Sequence, residues 1–113
     1  MRTVSGEIAL PNDCPKIRGA NALIEVRDVS LVDAPSTVVA HTRLKDVDLK
    51  PNGRICFSLP APEVPDARSL EIRIHISMDK SDSVKQGDLL TTISYQIPSR
   101  GSFKDMVVPV TLI

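Results

Sequence analysis

The chain has 113 residues, which fits one domain, and its 14 basic side chains are balanced by 14 acidic ones. This balance excludes an electrostatic field that favours nucleic acid or an anionic membrane, and aromatic residues, at 3%, are too few to stack bases. Because no apolar run approaches the ~20 residues of a membrane helix, we expect one globular domain over residues 1–113 without membrane insertion.

Four segments of the amino-terminal half predict β-strands, because apolar residues alternate with polar ones or β-branched residues dominate. In chain order they are Val4–Leu10, Asn21–Leu31, Thr37–Leu44 and Ile55–Leu59. Turn-forming residues predict a loop over Pro11–Gly19, an interruption at Asp33–Ser36 and a turn at Pro51–Gly53. Three prolines in Pro60–Asp66 predict an extended connection with little pairing.

The carboxyl-terminal half predicts three further strands. Alternation is strictest in Ser69–Met78, where every second side chain is apolar. A polar loop, Asp79–Asp88, separates it from the alternating segment Leu89–Ile97, and a last strand over Met106–Leu112 follows the turn Ser99–Ser102. Since no segment has convincing helical periodicity, the sequence predicts an all-β, single-domain antiparallel β-sandwich of about seven strands with little or no helix.

The last predicted strand contains Pro109, which has no N–H to donate to a neighbouring strand. We therefore expect this strand at a sheet edge, with the proline nitrogen turned away from its neighbour. An edge of this kind recruits further strands poorly. A partner is accordingly expected on a sheet face or across the Pro60–Asp66 connection.

The two histidines, His41 and His75, do not stand in a catalytic pattern. His75 shares the polar face of its strand with Ser77 and Glu71, but Glu71 lies about 13 Å away by strand rise, too far for a hydrogen bond. A nucleophile with its base, its orienting acid and an oxyanion hole is not indicated. We therefore expect His75 to be a solvated histidine, and we expect no catalytic residues and no enzymatic activity.

One loop invites a calcium interpretation, because it concentrates oxygen-bearing side chains. They are Asp79, Ser81, Asp82, Ser83 and Asp88. The EF-hand pattern nevertheless fails, since its glycine falls at Val84 and its bidentate glutamate at Leu90, and Lys80 and Lys85 add positive charge. A plain β-hairpin loop is therefore expected, and a small-ligand or calcium-binding module that uses this 79–88 loop stays open as the alternative function.

Other cofactor sites are not indicated. The sequence has neither the histidine and cysteine spacing of a zinc site nor a glycine-rich loop that opens a helix around phosphate. Cys14, in a loop, and Cys56, in a strand, are expected to be free thiols. The charges of Glu25, Arg27 and Asp28 are expected on a solvated sheet face. We therefore predict no metal and no cofactor.

The start of the chain bears on localisation. Met1–Val4 leads directly into an alternating segment, without the basic region, apolar stretch and cleavage site of a leader. As the sequence stands, a cytoplasmic location is expected. If a leader has been removed, the expected location is periplasmic or associated with the outer membrane.

Two segments of the amino-terminal half, Val4–Pro11 and Ala22–Ser36, carry a family resemblance. Val4-Ser5-Gly6-x-Ile8 followed by Asp28-Val29-Ser30-x-x-Asp33-Ala34-Pro35 resembles the bacterial pilotin-like lipoprotein domain, which includes type III secretion pilot lipoproteins. The second half is also similar to that domain, through Arg73-x-His75-Ile76, Gly87-Asp88 and Thr91–Tyr95. The resemblance spans nearly the whole chain and is most specific over Asp28–Ser36.

The resemblance implies a compact, non-enzymatic β-sandwich that binds or escorts another protein, such as a secretin subunit on its way to the outer membrane. Membrane anchoring is not carried over, because Cys14 follows Pro11-Asn12-Asp13, which is not a lipobox. No functional residue is carried over either. Asp28, Asp33 and Pro35 are interpreted as turn and register determinants.

Overall fold

A computed structural model describes residues 2–30, 35–79 and 83–113 of the chain. These residues form strands and no helix, which confirms the predicted all-β class. In chain order the strands are β1 (Arg2–Ala9), β2 (Ile17–Asp28), β3 (Thr37–Leu49), β4 (Arg54–Ala61), β5 (Leu70–Ser77), β6 (Leu89–Leu90), β7 (Tyr95–Ile97), β8 (Phe103–Pro109) and β9 (Thr111–Leu112).

The smaller sheet has the strand order β4-β1-β8. Strand β4 is antiparallel to β1, but β8 is parallel to it, so the sandwich contains one parallel pair that the sequence did not predict. Gly6 permits this pairing, because a Cβ atom at this position would lie 2.3 Å from the carbonyl oxygen of Met106.

The larger sheet has the strand order β3-β2-β5-β6-β9, and β7 also pairs with β5. Strands β2 and β5 lie antiparallel at its centre, with Ile24 opposite Ile74. Alternate side chains of both strands point to one face, as predicted from the period of two, and are buried. They join buried side chains of the smaller sheet, such as Val4, Ile8 and Leu59, in one hydrophobic core.

Several predicted strand boundaries in the first half are wrong. Strand β2 ends at Asp28, before the predicted end at Leu31. Strand β2 begins at Ile17, inside the predicted loop, because that residue pairs with the end of β3. Strand β3 continues to Leu49, past a register shift near Asp46, whose φ of 55° is left-handed. Strand β4 includes Pro60 and Ala61, which pair with β1, so the proline-rich connection is paired at its start.

The last two predicted strands are each divided in two. Leu89–Ile97 forms β6 and β7, which pair with different parts of β5 and are separated by a segment without strand structure. The final strand forms β8 in the smaller sheet and β9 in the larger one. Pro109 is the last residue of β8, and the edge position predicted for it is confirmed, since β8 is the outermost strand of its sheet.

Candidate functional site

The histidine expected in solvent is buried. His75 is 9% exposed, and its Nε2 atom lies 2.8 Å from Oδ2 of Asp88, which is only 2% exposed. The prediction was wrong because alternation places His75 on the polar face of β5 but does not reveal what covers that face. Here the 85–88 turn and β6 fold back beside β5.

Asp88 is the anchor of this turn. Its Oδ1 accepts a hydrogen bond from the Met78 N–H at 3.2 Å, and its Oδ2 accepts one from the Lys85 N–H at 3.1 Å in addition to the contact with His75. Burial by itself would raise the pKa of Asp88, but the hydrogen bonds from His75 and the two backbone N–H groups, together with the charge on His75, hold this pKa below its usual value. The carboxylate is thus ionised, and both of its oxygens accept hydrogen bonds from the protein.

This geometry disfavours the calcium interpretation of the 79–88 loop. The oxygens of Asp88 point inward and already accept protein hydrogen bonds, and Asp79 pairs with Lys85 and accepts a hydrogen bond from Ser77. Ser81 and Asp82 lie outside the described residues. In the part of the chain that the structure describes, no three histidine, cysteine or carboxylate side chains are grouped as metal ligands.

The other residues considered for catalysis are not brought together. The Ser77 hydroxyl donates to Asp79 at 2.9 Å, rather than to His75. Glu71 accepts hydrogen bonds from Ser94 at 2.7 Å and Arg73 at 2.9 Å. His41 is exposed on β3. The pairing of His75 with Asp88 was not predicted, although two of the three motifs of the second half that carry the resemblance contain these residues.

The outer face of the larger sheet carries a groove of about 580 Å³. Its floor consists of β2 and β5, and its sides include Val84 and the segment Thr91–Ser94. The floor charges form ion pairs along each strand: Arg27 Nη2 lies 3.0 Å from Glu25 Oε1, and Arg73 Nε lies 2.9 Å from Glu71 Oε1. The groove floor therefore combines balanced charges with apolar surroundings.

Two apolar side chains stand out at the sides of the groove. Val84 is 53% exposed and Ile93 is 74% exposed, the highest values among the large apolar side chains of the described residues. Ile93 was predicted to lie within a strand on the same face as buried Ile97. The interruption between β6 and β7 turns it outward instead, and no sequence signal distinguishes it from its alternating neighbours.

The most specific part of the family resemblance begins with a hydrogen-bonded turn. Asp28 Oδ1 accepts hydrogen bonds from the N–H and the hydroxyl of Ser30, and its Oδ2 lies 3.0 Å from Arg68 Nη1. The hydrogen bonds from Ser30 make the largest contribution to lowering the pKa of Asp28, and Arg68 lowers it further. Asp28 thus stabilises the turn through its side chain, in agreement with its interpretation as a turn determinant. Asp33 lies outside the described residues.

The thiols lie in different environments. Cys14 is buried, and burial raises the pKa of its thiol, with a further contribution from the charge of Asp13. Cys56 is exposed on β4, and both thiols are free.

Among the described residues, no helix has the length and apolar character needed to span a bilayer.

No protein-family model and no curated protein matches the chain by sequence. The arrangement of its strands does match a solved structure, which defines the chain as a β-sandwich with a pilotin-like fold. That structure is an alternative pilotin from the type II secretion system of Vibrio cholerae; the match has a TM-score of 0.68 and 17% sequence identity, and covers 97% of this chain and 96% of that one.

Proposed function

We propose that this chain is a non-enzymatic β-sandwich that binds or escorts another protein, in the manner of a pilot for a secretion component. The observation that carries the proposal is the structural match with a pilotin over nearly the full length of both chains. The resemblance of the sequence to pilot lipoproteins supports the same role and names a secretin subunit as the kind of partner.

The groove on the outer face of the larger sheet is the surface we propose for this partner. It agrees with the expected docking on a sheet face, and its exposed Val84 and Ile93 would be covered by an apolar segment. Because the floor charges are paired within the chain, a strongly charged partner would gain little net attraction there.

The test is co-purification of the tagged chain with a secretin subunit from bacterial envelopes. The variant Val84→Asp should reduce recovery of the secretin subunit, whereas the control Val107→Asp places the same charge on an exposed valine of β8 in the other sheet. Failure of the parent chain to recover the subunit contradicts the function. Normal recovery with Val84→Asp contradicts the choice of surface.

Cell fractionation provides an independent test. A pilot for an outer-membrane component would be found in the periplasm or with the outer membrane. Exclusive recovery from the cytoplasm, the location expected from the sequence as it stands, would contradict the proposed role.

A further inference from the structure

A second cavity, of about 450 Å³, lies where the start of β2 meets the end of β3. It is lined by two short segments of the chain, Lys16–Arg18 and Asp48–Lys50. None of these described residues also lines the groove on the outer face of the larger sheet. A volume of this size lies within the range of about 300–1,000 Å³ that is typical of small-ligand sites.

The pairing of the two strands explains how charged side chains from distant parts of the sequence reach this cavity. Ile17 pairs with Leu49, and Leu49 is buried in the core. Side chains alternate between the two faces of a strand, so the neighbours of both residues lie on the outer face. These neighbours, all exposed, are Lys16, Arg18, Asp48 and Lys50.

This end of the ladder brings two like charges together. Lys16 directly precedes Ile17 and Lys50 directly follows Leu49, so the two lysines flank the same end of an antiparallel pair. Like charges in opposite positions destabilise a sheet. An anion bound between the two ammonium groups would replace their repulsion with attraction.

A bulge in β2 lies at the third basic side chain. Between the pairs Ile17–Leu49 and Ala20–Val47, β2 has one residue more than β3, so Arg18 and Gly19 lie opposite Asp48 alone. Gly19 has a left-handed φ of 80°, and a bulge of this kind bends the strand and redirects its side chains. Arg18 forms no ion pair with Asp48 or with any other described residue.

The cavity is locally basic, although the whole chain has no net charge. Many basic side chains elsewhere form ion pairs; they are Arg27, Arg68, Arg73, Lys85 and Arg100. Within residues 2–30, 35–79 and 83–113, the side chains of Lys16, Arg18 and Lys50 form neither an ion pair nor a hydrogen bond. With the carboxylate of Asp48, they leave two net positive charges on the lining.

The number and arrangement of these charges match a phosphate monoester. At pH 7 this group carries a charge of about −1.5 to −2 and presents three acceptor oxygens. Arginine can donate two parallel N–H bonds to phosphate, and lysine binds it as a point charge. A carboxylate has a single charge and two oxygens, so it would leave part of the basic lining without a partner. The half-buried Ile17 adds apolar surface for the remainder of a ligand.

We propose that this cavity binds a phosphate monoester, whose oxygens are held by Lys16, Arg18 and Lys50. A soluble compound and a lipid headgroup can both present this group, and the experiment separates the two sources. The proposal does not rest on the protein partner proposed above, because the cavity and the groove are different surfaces.

The experiment titrates the full chain with glycerol 3-phosphate and follows the backbone amide shifts by NMR. We expect the shifts to concentrate in Lys16–Arg18 and Asp48–Lys50, and the affinity to fall as the salt concentration rises. A capped peptide of three glutamates should bind about fivefold more weakly. No binding of glycerol 3-phosphate, or shifts spread evenly over all exposed basic residues, would overturn the proposal. Equal or tighter binding of the peptide would also overturn it, in favour of an acidic protein segment.

Substitutions at exposed positions locate the site without disturbing the core. Arg18→Gln with Lys50→Gln should weaken binding of glycerol 3-phosphate about tenfold. The matched control, Arg54→Gln with Lys104→Gln, removes an exposed arginine and an exposed lysine of the smaller sheet and should leave the affinity unchanged. An equal effect of the two pairs would show nonspecific attraction and overturn the proposal.

Asp48→Asn provides a test in the opposite direction. It removes the carboxylate that repels a bound phosphate, so the affinity for glycerol 3-phosphate should rise about threefold. An unchanged or reduced affinity would place the ligand elsewhere and overturn the proposal.

Cosedimentation with vesicles of phosphatidylcholine, with and without phosphatidic acid, identifies the source of the phosphate. Binding that requires phosphatidic acid and is lost in the Arg18→Gln, Lys50→Gln variant would support the site with a lipid headgroup as its ligand. Binding of glycerol 3-phosphate without cosedimentation would support it with a soluble ligand. Cosedimentation that the variant retains, when glycerol 3-phosphate does not bind, would overturn the proposal.

Discussion

The buried carboxylate of Asp88 should be a major determinant of stability. In Asp88→Ala, three donors lose their acceptor: His75 Nε2 at 2.8 Å, the Lys85 N–H at 3.1 Å and the Met78 N–H at 3.2 Å. A fully buried donor without an acceptor costs about 1–3 kcal/mol. The His75 contact is buried and the two backbone hydrogen bonds are partly buried. Allowing for water entry and relaxation, we expect a loss of about 3–5 kcal/mol, a large part of the 5–15 kcal/mol typical of a domain.

Urea titrations at pH 7 measure this loss, with Asp79→Asn as the matched control in the same loop. Asp79 is half-exposed and pairs with Lys85 at the surface, so this variant should lose less than about 1 kcal/mol. Asp88→Asn should fall between the two, at about 1–3 kcal/mol, because its amide retains one acceptor oxygen but turns an N–H₂ group toward a donor.

The contribution of Asp88 to the free energy of unfolding should depend on pH. Because the folded-state pKa of Asp88 lies below its unfolded value, its stabilisation is present above about pH 4 and is lost as the pH falls through the lower folded pKa. The difference in unfolding free energy between the parent and Asp88→Ala should therefore narrow in acid. A difference that is constant from pH 7 to pH 3, or no larger than that of Asp79→Asn, would refute the reasoning.

The remaining predictions concern the core, the strand contacts and the loop. Ile74→Ala, at a fully buried position, should cost about 2–4 kcal/mol in urea and Arg73→Ala less than ~1, so equal losses would contradict the assigned faces. Gly6→Ala should cost about 1–3 kcal/mol or more, because the new methyl group would meet the Met106 carbonyl, and an unchanged unfolding midpoint would contradict this close approach. Pro109→Val should increase self-association in sedimentation while the fold is preserved, and a monomeric variant would contradict a protective role of the proline. Millimolar calcium should leave the melting temperature unchanged, and a rise of several degrees would restore the ion-binding alternative.

The sequence by itself determined the all-β class and the faces of the central strands. Alternation in Leu70–Ser77 and in the middle of β2 places Ile24 and Ile74 in the core, as predicted, because a period of two puts the apolar series of each strand on one face. The edge position of β8 followed from one chemical fact, the missing N–H of Pro109.

Only the tertiary structure decided which strands pair and what covers the polar face of β5. The last strand divides between two sheets, and its first part runs parallel to β1. Gly6 permits the close contact with Met106, a residue about 100 positions away in sequence, and no local pattern encodes that contact. His75 and Asp88 look like surface residues in the sequence, and they become a buried pair because the 85–88 turn and β6 fold back beside β5. Ile93 looks like a core residue, and it becomes the most exposed large apolar side chain among those described because β6 and β7 pair with separate parts of β5. A local period specifies the two faces of a strand, but the packing of distant segments decides which of those faces meets water.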